Sequence, residues 1–297
     1  MEMRGGRKLF ILWGMAGILG IGSGVFFSRD PVLIVTDASF TALYGARRAR
    51  LKTVKASIQL FRPVKPVMVA DNAGPDMVAF AVEQAGGSPY CILFPYRYNE
   101  GAERYVEQFP QVPVFILGGR NQNPRVNGTI FIETDSGTDL YRAGLCAGIM
   151  ARNDGKEVLF FQNEAMAAEQ QDAFQAGLRE QGFEKTPKYL SVSQDYSDNQ
   201  NVSCVVMNGQ AALFLNKDLD TPVILFSWID PDVTATPVKL VFDDSPWALV
   251  TRVVQMIPGK NPEGAVPSEI VFPGRRIRDK GILHDLKNVI YNNIPNI

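Results

Sequence analysis

From residue 31 onward the apolar positions of this chain fall into short blocks, rich in Val, Ile and Leu and closed by polar or acidic residues. They read VLIVTD (32–37), PVMVADN (66–72), YCILFPY (90–96), VPVFILGG (112–119), TIFIETD (129–135), EVLFFQN (157–163), YLSVSQD (189–195), VSCVVMNG (202–209), PVILFSWID (222–230) and VKLVFDD (238–244). Blocks of this length, apolar throughout, predict strands buried on both faces. Between them the spacing turns helical. Leu140, Tyr141, Gly144, Leu145, Gly148 and Ile149 form a stripe suited to lie on a sheet, with glycines that permit close approach. In 165–183, Phe174, Gly177 and Leu178 share a face and Gly182 sits where a C-terminal cap belongs. Pro75-Asp76 starts another helix and Gly86-Gly87 stops it. Strands alternating with helices predict an α/β class with doubly wound parallel sheets.

Ten such strands are too many for one comfortable open sheet in this chain, and five βα units precede Asp135 while five follow it. The expectation is two Rossmann-like lobes with a hinged cleft between them. Ligands of open α/β sheets bind outside the carboxyl ends of the strands. The residues that close the blocks are therefore the ligand-binding candidates: Asp37, Asn72, Tyr96, Asp135, Asn163, Trp228, Asp230 and Asp243, with Phe40 just beyond the first block.

Composition narrows the function classes. Of the residues, 46% are hydrophobic and 21% charged, an ordinary globular balance. The net charge is −1 and no basic run is placed to track a phosphate backbone, so nucleic acid is not an expected partner. Cys91, Cys146 and Cys204 are far apart and lie in or beside apolar runs, which suits buried small hydrophobes and not a metal site. At the N-terminus, Arg4, Arg7 and Lys8 precede an uncharged run, Leu9–Phe27. A signal peptide has an apolar core of about 7–15 residues and a bilayer span needs about 20. The run serves as either, residues 1–30 being a signal peptide or an anchor, and in both cases the chain from about 31 is exported. Gly22 and Gly24 would satisfy a cleavage site, while no Cys follows to carry a lipid.

Three stretches carry a resemblance: VTDASFTALYGARRA (35–49), IETDSGTDLYRAGLCAGIMARNDGKEVLFFQ (132–162) with AFQAGLREQGF (173–183), and ILFSWIDPDVTATPVKLVFDDSPWALVTRVVQMI (224–257). Together they resemble the type 1 periplasmic-binding-protein fold, shared by exported solute-binding proteins and the effector domains of the lactose-repressor class. The first is similar to the Asp-x-Ser-Phe opening of the basic-membrane-protein branch, which typically binds nucleosides; the others look equally like the sugar-binding and repressor branches. Thr41 stands where the nucleoside branch usually has Asn, and Trp228-x-Asp230 where it has Asp-x-Asp. The resemblance implies lobe 1 over 31–134 plus 243–262 and lobe 2 over 135–242 plus 263–297. It also puts Asp135 and Asp243 at crossings between lobes.

The candidate residues suit a small polar ligand. Asp37 can accept from two neighbouring hydroxyls, Phe40, Tyr96, Tyr98 and Trp228 offer flat faces for a sugar ring or base, and Arg97 or Arg120 can grip an anion. Each also has a structural reading: Asp37 or Asp135 can cap the following helix, and Tyr98 and Arg120 can be plain surface residues. Catalysis is not expected. His284 is the one histidine, and the chain has no nucleophile elbow, phosphate loop or H-E-x-x-H pair. The expectation is a non-enzymatic, monomeric solute-binding protein that closes on a nucleoside or sugar without metal or cofactor. It would lie in the periplasm or outside the cytoplasm, through residues 9–27 anchored to the membrane, and deliver its ligand to an ABC-type transporter. A membrane-tethered sensor or interaction protein built on the same fold is the alternative.

Overall fold

A computed structural model describes residues 24–118, 128–152, 155–162, 166–191, 201–208, 221–226, 238–257, 264–272 and 280–292. The chain divides into two compact units, Met1–Ala38 with Arg47–Phe131 and Val250–Pro262, and Ser39–Ala46 with Ile132–Leu249 and Glu263–Ile297.

The first part of the chain runs β1 (Val32–Asp37), α1 (Ala38–Tyr44), α2 (Ala46–Leu60), β2 (Val64–Val69), α3 (Pro75–Gln84), β3 (Cys91–Pro95), a 3₁₀ turn (Tyr96–Tyr98), α4 (Asn99–Gln108), β4 (Val114–Leu117) and β5 (Thr129–Thr134). There follow α5 (Ser136–Ala151), β6 (Glu157–Gln162), α6 (Ala168–Glu180), β7 (Lys188–Ser191), β8 (Val202–Asn208), β9 (Val223–Phe226) and β10 (Val238–Asp243). The last elements are α7 (Pro246–Met256), β11 (Gly264–Val266), β12 (Glu269–Val271) and α8 (Lys280–Asn292). The two sheets have orders β11-β5-β4-β3-β1-β2 and β12-β10-β9-β8-β6-β7. In each sheet the first five strands in chain order repeat one order, 2-1-3-4-5. Each of the ten predicted strands is present, and β11 and β12 are additional to those ten blocks. The one antiparallel pairing among those the described residues define is β10 with β12.

Burial follows the two-residue repeat of a strand. In the first sheet Leu33 and Val35, Val67 and Val69, Ile92 and Phe94, and Val114 and Ile116 share a face covered by α3 and α4 through Val78, Val82, Tyr105 and Val106. All six residues of β1 are buried, as a central strand covered on both faces requires. β2 lies at the outer edge, and there Lys65 and Pro66 are exposed.

In the second core, α5 and α6 cross at backbone distance. A Cβ added at Gly144 would stand 2.1 Å from the Phe174 carbonyl oxygen, and one at Gly177 would stand 2.1 Å from the Tyr141 carbonyl oxygen. The close approach inferred from those glycines is thus reciprocal. α6 then stops in a Schellman turn, with Phe183 N–H donating to Leu178 O and Gly182 N–H to Arg179 O. Gly182 has φ +79°, and Leu178 and Phe183 both join the core. A buried acid sits on α5. Asp139 accepts the Ser268 backbone N–H at 3.1 Å through both oxygens, tying the turn between β11 and β12 to α5. Burial pushes its carboxyl up to about 6, against the Ser268 hydrogen bonds and the Arg142 charge that favour ionisation.

Two predictions follow from this packing. Alanine is about 1 kcal/mol better than glycine inside a helix, yet Gly144→Ala and Gly177→Ala should each lower the thermal midpoint by several degrees. Overpacking costs about 1–3 kcal/mol, and the obstructing atoms are backbone. Gly137→Ala, whose Cβ would have Asp135 Oδ1 as its nearest neighbour at 3.6 Å, should not lower it. The second concerns pH. Asp139 folds with a pKa of about 6 against an ordinary 3.8, so its stabilising contribution is complete below the lower value and lost as pH rises through the higher one. In urea titrations Asp139→Asn should gain on the native chain between those two values, and a constant difference would count against the assignment.

Candidate ligand-binding site

A sheet of order 2-1-3-4-5 has its topological switch point between strands 1 and 3, where consecutive crossovers leave on opposite faces and open a crevice. In the first unit β1 delivers Asp37 to that point and β3 delivers Tyr96, Arg97 and Tyr98. Asp37 is 1% exposed, although it carries a carboxylate. Arg97 Nη2 donates to Asp37 Oδ2, and so does the Tyr98 hydroxyl, at 3.0 Å. The guanidinium also donates to the Tyr98 oxygen at 2.7 Å and lies over its ring, 4.8 Å from the centroid. Buried charge is thereby met by a charged partner and an oriented hydroxyl. The Arg97 side chain remains 46% exposed, so the cluster presents guanidinium N–H groups outward while Asp37 fixes their direction.

The sequence places both Asp37 and Arg97 among the candidates but does not pair them. Tyr98, given a surface reading above, is buried, because its hydroxyl has a carboxylate to reach and its ring joins the core. Tyr96 is half-buried beside it. Asn72, exposed after β2, takes φ +61°, a conformation that Asn tolerates better than most residues.

The second unit assembles another group. Asp243, closing β10, is fully buried and accepts hydrogen bonds from Ser245 N–H at 3.1 Å, the Ser245 hydroxyl at 2.6 Å and the Tyr44 hydroxyl at 2.9 Å. It thus fixes the entry to α7 and the end of α1. Trp247, in the first turn of α7, stacks on Phe40 at 5.4 Å and 11° and packs on Tyr44 at 4.5 Å. Its Nε1 is buried without an acceptor among the described residues. Pattern reading missed Trp247, since it follows Pro246 at the head of an apolar helix and looks like core. The signal available was the block-ending acid Asp243 just before it. Asp135 caps α5, accepting Thr138 N–H at 2.9 Å and the Thr138 hydroxyl at 2.6 Å. Asn163, Trp228, Asp230 and Arg120 lie outside the described residues.

Other reactive groups are placed for structure. The three cysteines are free and buried, and burial pushes the thiols of Cys91 and Cys146 up to about 12 and raises that of Cys204. His284 is exposed on α8, with its Nε2 2.9 Å from Asn288 Nδ2. No group of three His, Cys, Asp or Glu among the described residues is disposed to hold a metal ion.

No protein-family model matches this chain, and no curated protein matches it. Solved structures are similar to it over nearly their whole length. One is an ABC transporter solute-binding protein from Conexibacter woesei DSM 14684, with 14% identity and a TM-score of 0.57 over 90% of this chain and 98% of that one. Another is a transcriptional activator of the comK gene from Bacillus halodurans, with 12% identity and a TM-score of 0.59 over 89% and 97%. A third is an ABC transporter periplasmic solute-binding protein from Actinobacillus succinogenes 130z with bound D-allose, with 10% identity and a TM-score of 0.53 over 88% and 100%. At such identities the likeness concerns architecture alone, and the architecture of this chain is the type 1 periplasmic-binding-protein fold.

Proposed function

We propose that this chain is an exported solute-binding protein that takes a sugar and hands it to an ABC-type membrane transporter. The observation that carries the reading is the Asp37–Arg97–Tyr98 cluster at the switch point of the first sheet, where oriented donors face outward from a buried anchor. Hydroxyl-rich ligands are held by such oriented polar groups together with flat aromatic faces. The buried Trp247 N–H, without an acceptor among the described residues, supports it too, since a buried donor left unpaired costs about 1–3 kcal/mol and a ligand hydroxyl would satisfy it. D-allose in one structural neighbour favours a sugar over a nucleoside. This reading takes Asn72, Tyr96, Arg97, Asn163, Trp228 and Asp230 as ligand contacts, and ligand shifts a conformational equilibrium toward the form it binds better. The export signal or anchor is the run Leu9–Phe27, and no catalytic step is involved.

The test is thermal denaturation of the full chain against monosaccharides, nucleosides, amino acids and small anions. A ligand at about a hundred times its Kd stabilises by about 2.7 kcal/mol, a readable shift. A monosaccharide hit is expected, and Trp247→Phe, which keeps the stack on Phe40 and removes the N–H, should weaken it about three- to tenfold in calorimetry. A nucleoside hit alone would replace the ligand class, and silence across the panel would transfer the reading to a tethered sensor or interaction protein.

A further inference from the structure

Helix α2 is built inside out. Its small residues Ala49 and Ala56 are buried, and the hydroxyls of Thr53 and Ser57 donate to the Ala49 and Thr53 carbonyls at 2.8 Å. Leu51, Val54 and Ile58 are 61%, 51% and 71% exposed. At 100° per residue these three fall within about 60° of one another. Arg47 lies on the same stripe, and Arg50 and Lys55 flank it, all three exposed. No Asp or Glu occurs from Ala38 to Ala70, in a chain with 30 Lys and Arg against 31 Asp and Glu overall. The basic residues that look scattered in sequence are thus gathered by the helix onto one apolar face.

A solvated helix gains nothing by exposing three large aliphatic side chains, and nucleic acid offers them no partner. A basic amphipathic face with aliphatic residues along its centre fits the interface of an anionic bilayer. The N-terminal chain reaches the same place. Phe26 packs edge-on against Phe61, just beyond the end of α2, at 6.0 Å, and Arg29 lies 4.9 Å over the Phe61 ring. Arg62 donates to the Asp30 carbonyl at 2.9 Å, and Phe27 is exposed. Residues 24–30, the end of the uncharged N-terminal run and the three residues after it, therefore sit against the C-terminal end of the exposed stripe.

We infer that the outer face of α2 is a docking surface for anionic lipid headgroups, with Leu51, Val54 and Ile58 entering the headgroup boundary and Arg47, Arg50 and Lys55 neutralising the surface. This surface is separate from the ligand site and does not depend on which solute is bound. It serves whether the N-terminal run is retained as an anchor or removed, for the face belongs to the folded unit.

The test places an environment-sensitive fluorophore on Ile58→Cys in the full chain, where the native thiols are buried. Labelled protein is added to vesicles of phosphatidylcholine alone or with about a third phosphatidylglycerol. The expected result is a blue shift, and quenching by brominated acyl chains, with the anionic vesicles only. Both should be abolished by about 0.5 M salt and by the triple change Arg47→Glu, Arg50→Glu, Lys55→Glu. At about 1 kcal/mol for each basic residue, removing three weakens the contact roughly a hundredfold or more. A label on Met77→Cys of α3, equally exposed and apolar, should not respond. Equal emission with both vesicle types overturns the inference. So does a label already shielded without lipid in a particle of twice the mass by light scattering, which would make a second copy the occupant.

Discussion

A strand buried on both faces can carry polarity only at its ends, and an acid placed there must be given donors or it destabilises the fold. Asp37 and Asp243 end two such strands and are almost completely removed from solvent. Their donors come from distant parts of the chain, Arg97 and Tyr98 for one and Tyr44 for the other. Hydrogen bonds to buried charge contribute about 1.5–3 kcal/mol each, and losing one leaves the desolvation cost unmet. The 3₁₀ turn and the helix end that carry those donors are therefore held in place by the acids. At the proposed binding region the effect is a fixing of direction: guanidinium and hydroxyl groups are oriented before any solute arrives.

Small residues face inward on both α5 and α2, for different reasons. On α5, Gly144 is needed because another backbone passes within contact distance. On α2, Ala49 and Ala56 occupy the inner face, and the larger side chains are left outside. The same preference for small volume thus produces a tight helix pair in one unit and an uncovered apolar surface in the other. Residue size alone does not tell the two apart; the charge pattern around the large residues does.

The strands were legible because uninterrupted apolar blocks closed by polar residues have few other readings, and their alternation with helices pointed to parallel sheets, but the 2-1-3-4-5 order is not contained in that alternation. β11 escaped because Gly264–Val266 is too short and too poor in bulky residues to stand out. At the site, residue types were legible and pairings were not. Asp37 was recognised as an acceptor and Arg97 as a donor to anions, but their meeting depends on the neighbouring positions of β1 and β3, which are 60 positions apart at these residues. Trp247 was hidden by its apolar surroundings. The face of α2 was hidden by its inversion, since reading apolar positions as core assigns Leu51, Val54 and Ile58 to the wrong side.

The outer strand β2 has a consequence for how copies behave together. An open strand edge offers unpaired N–H and C=O groups to any neighbour, and such edges seed sheet-to-sheet growth. Here Pro66 lacks the N–H and Lys65 adds a charge, both in the open. Wherever many copies are crowded, a first sheet of one molecule therefore has no clean register in which to extend that of the next. Copies can therefore be concentrated without joining through the β2 edge.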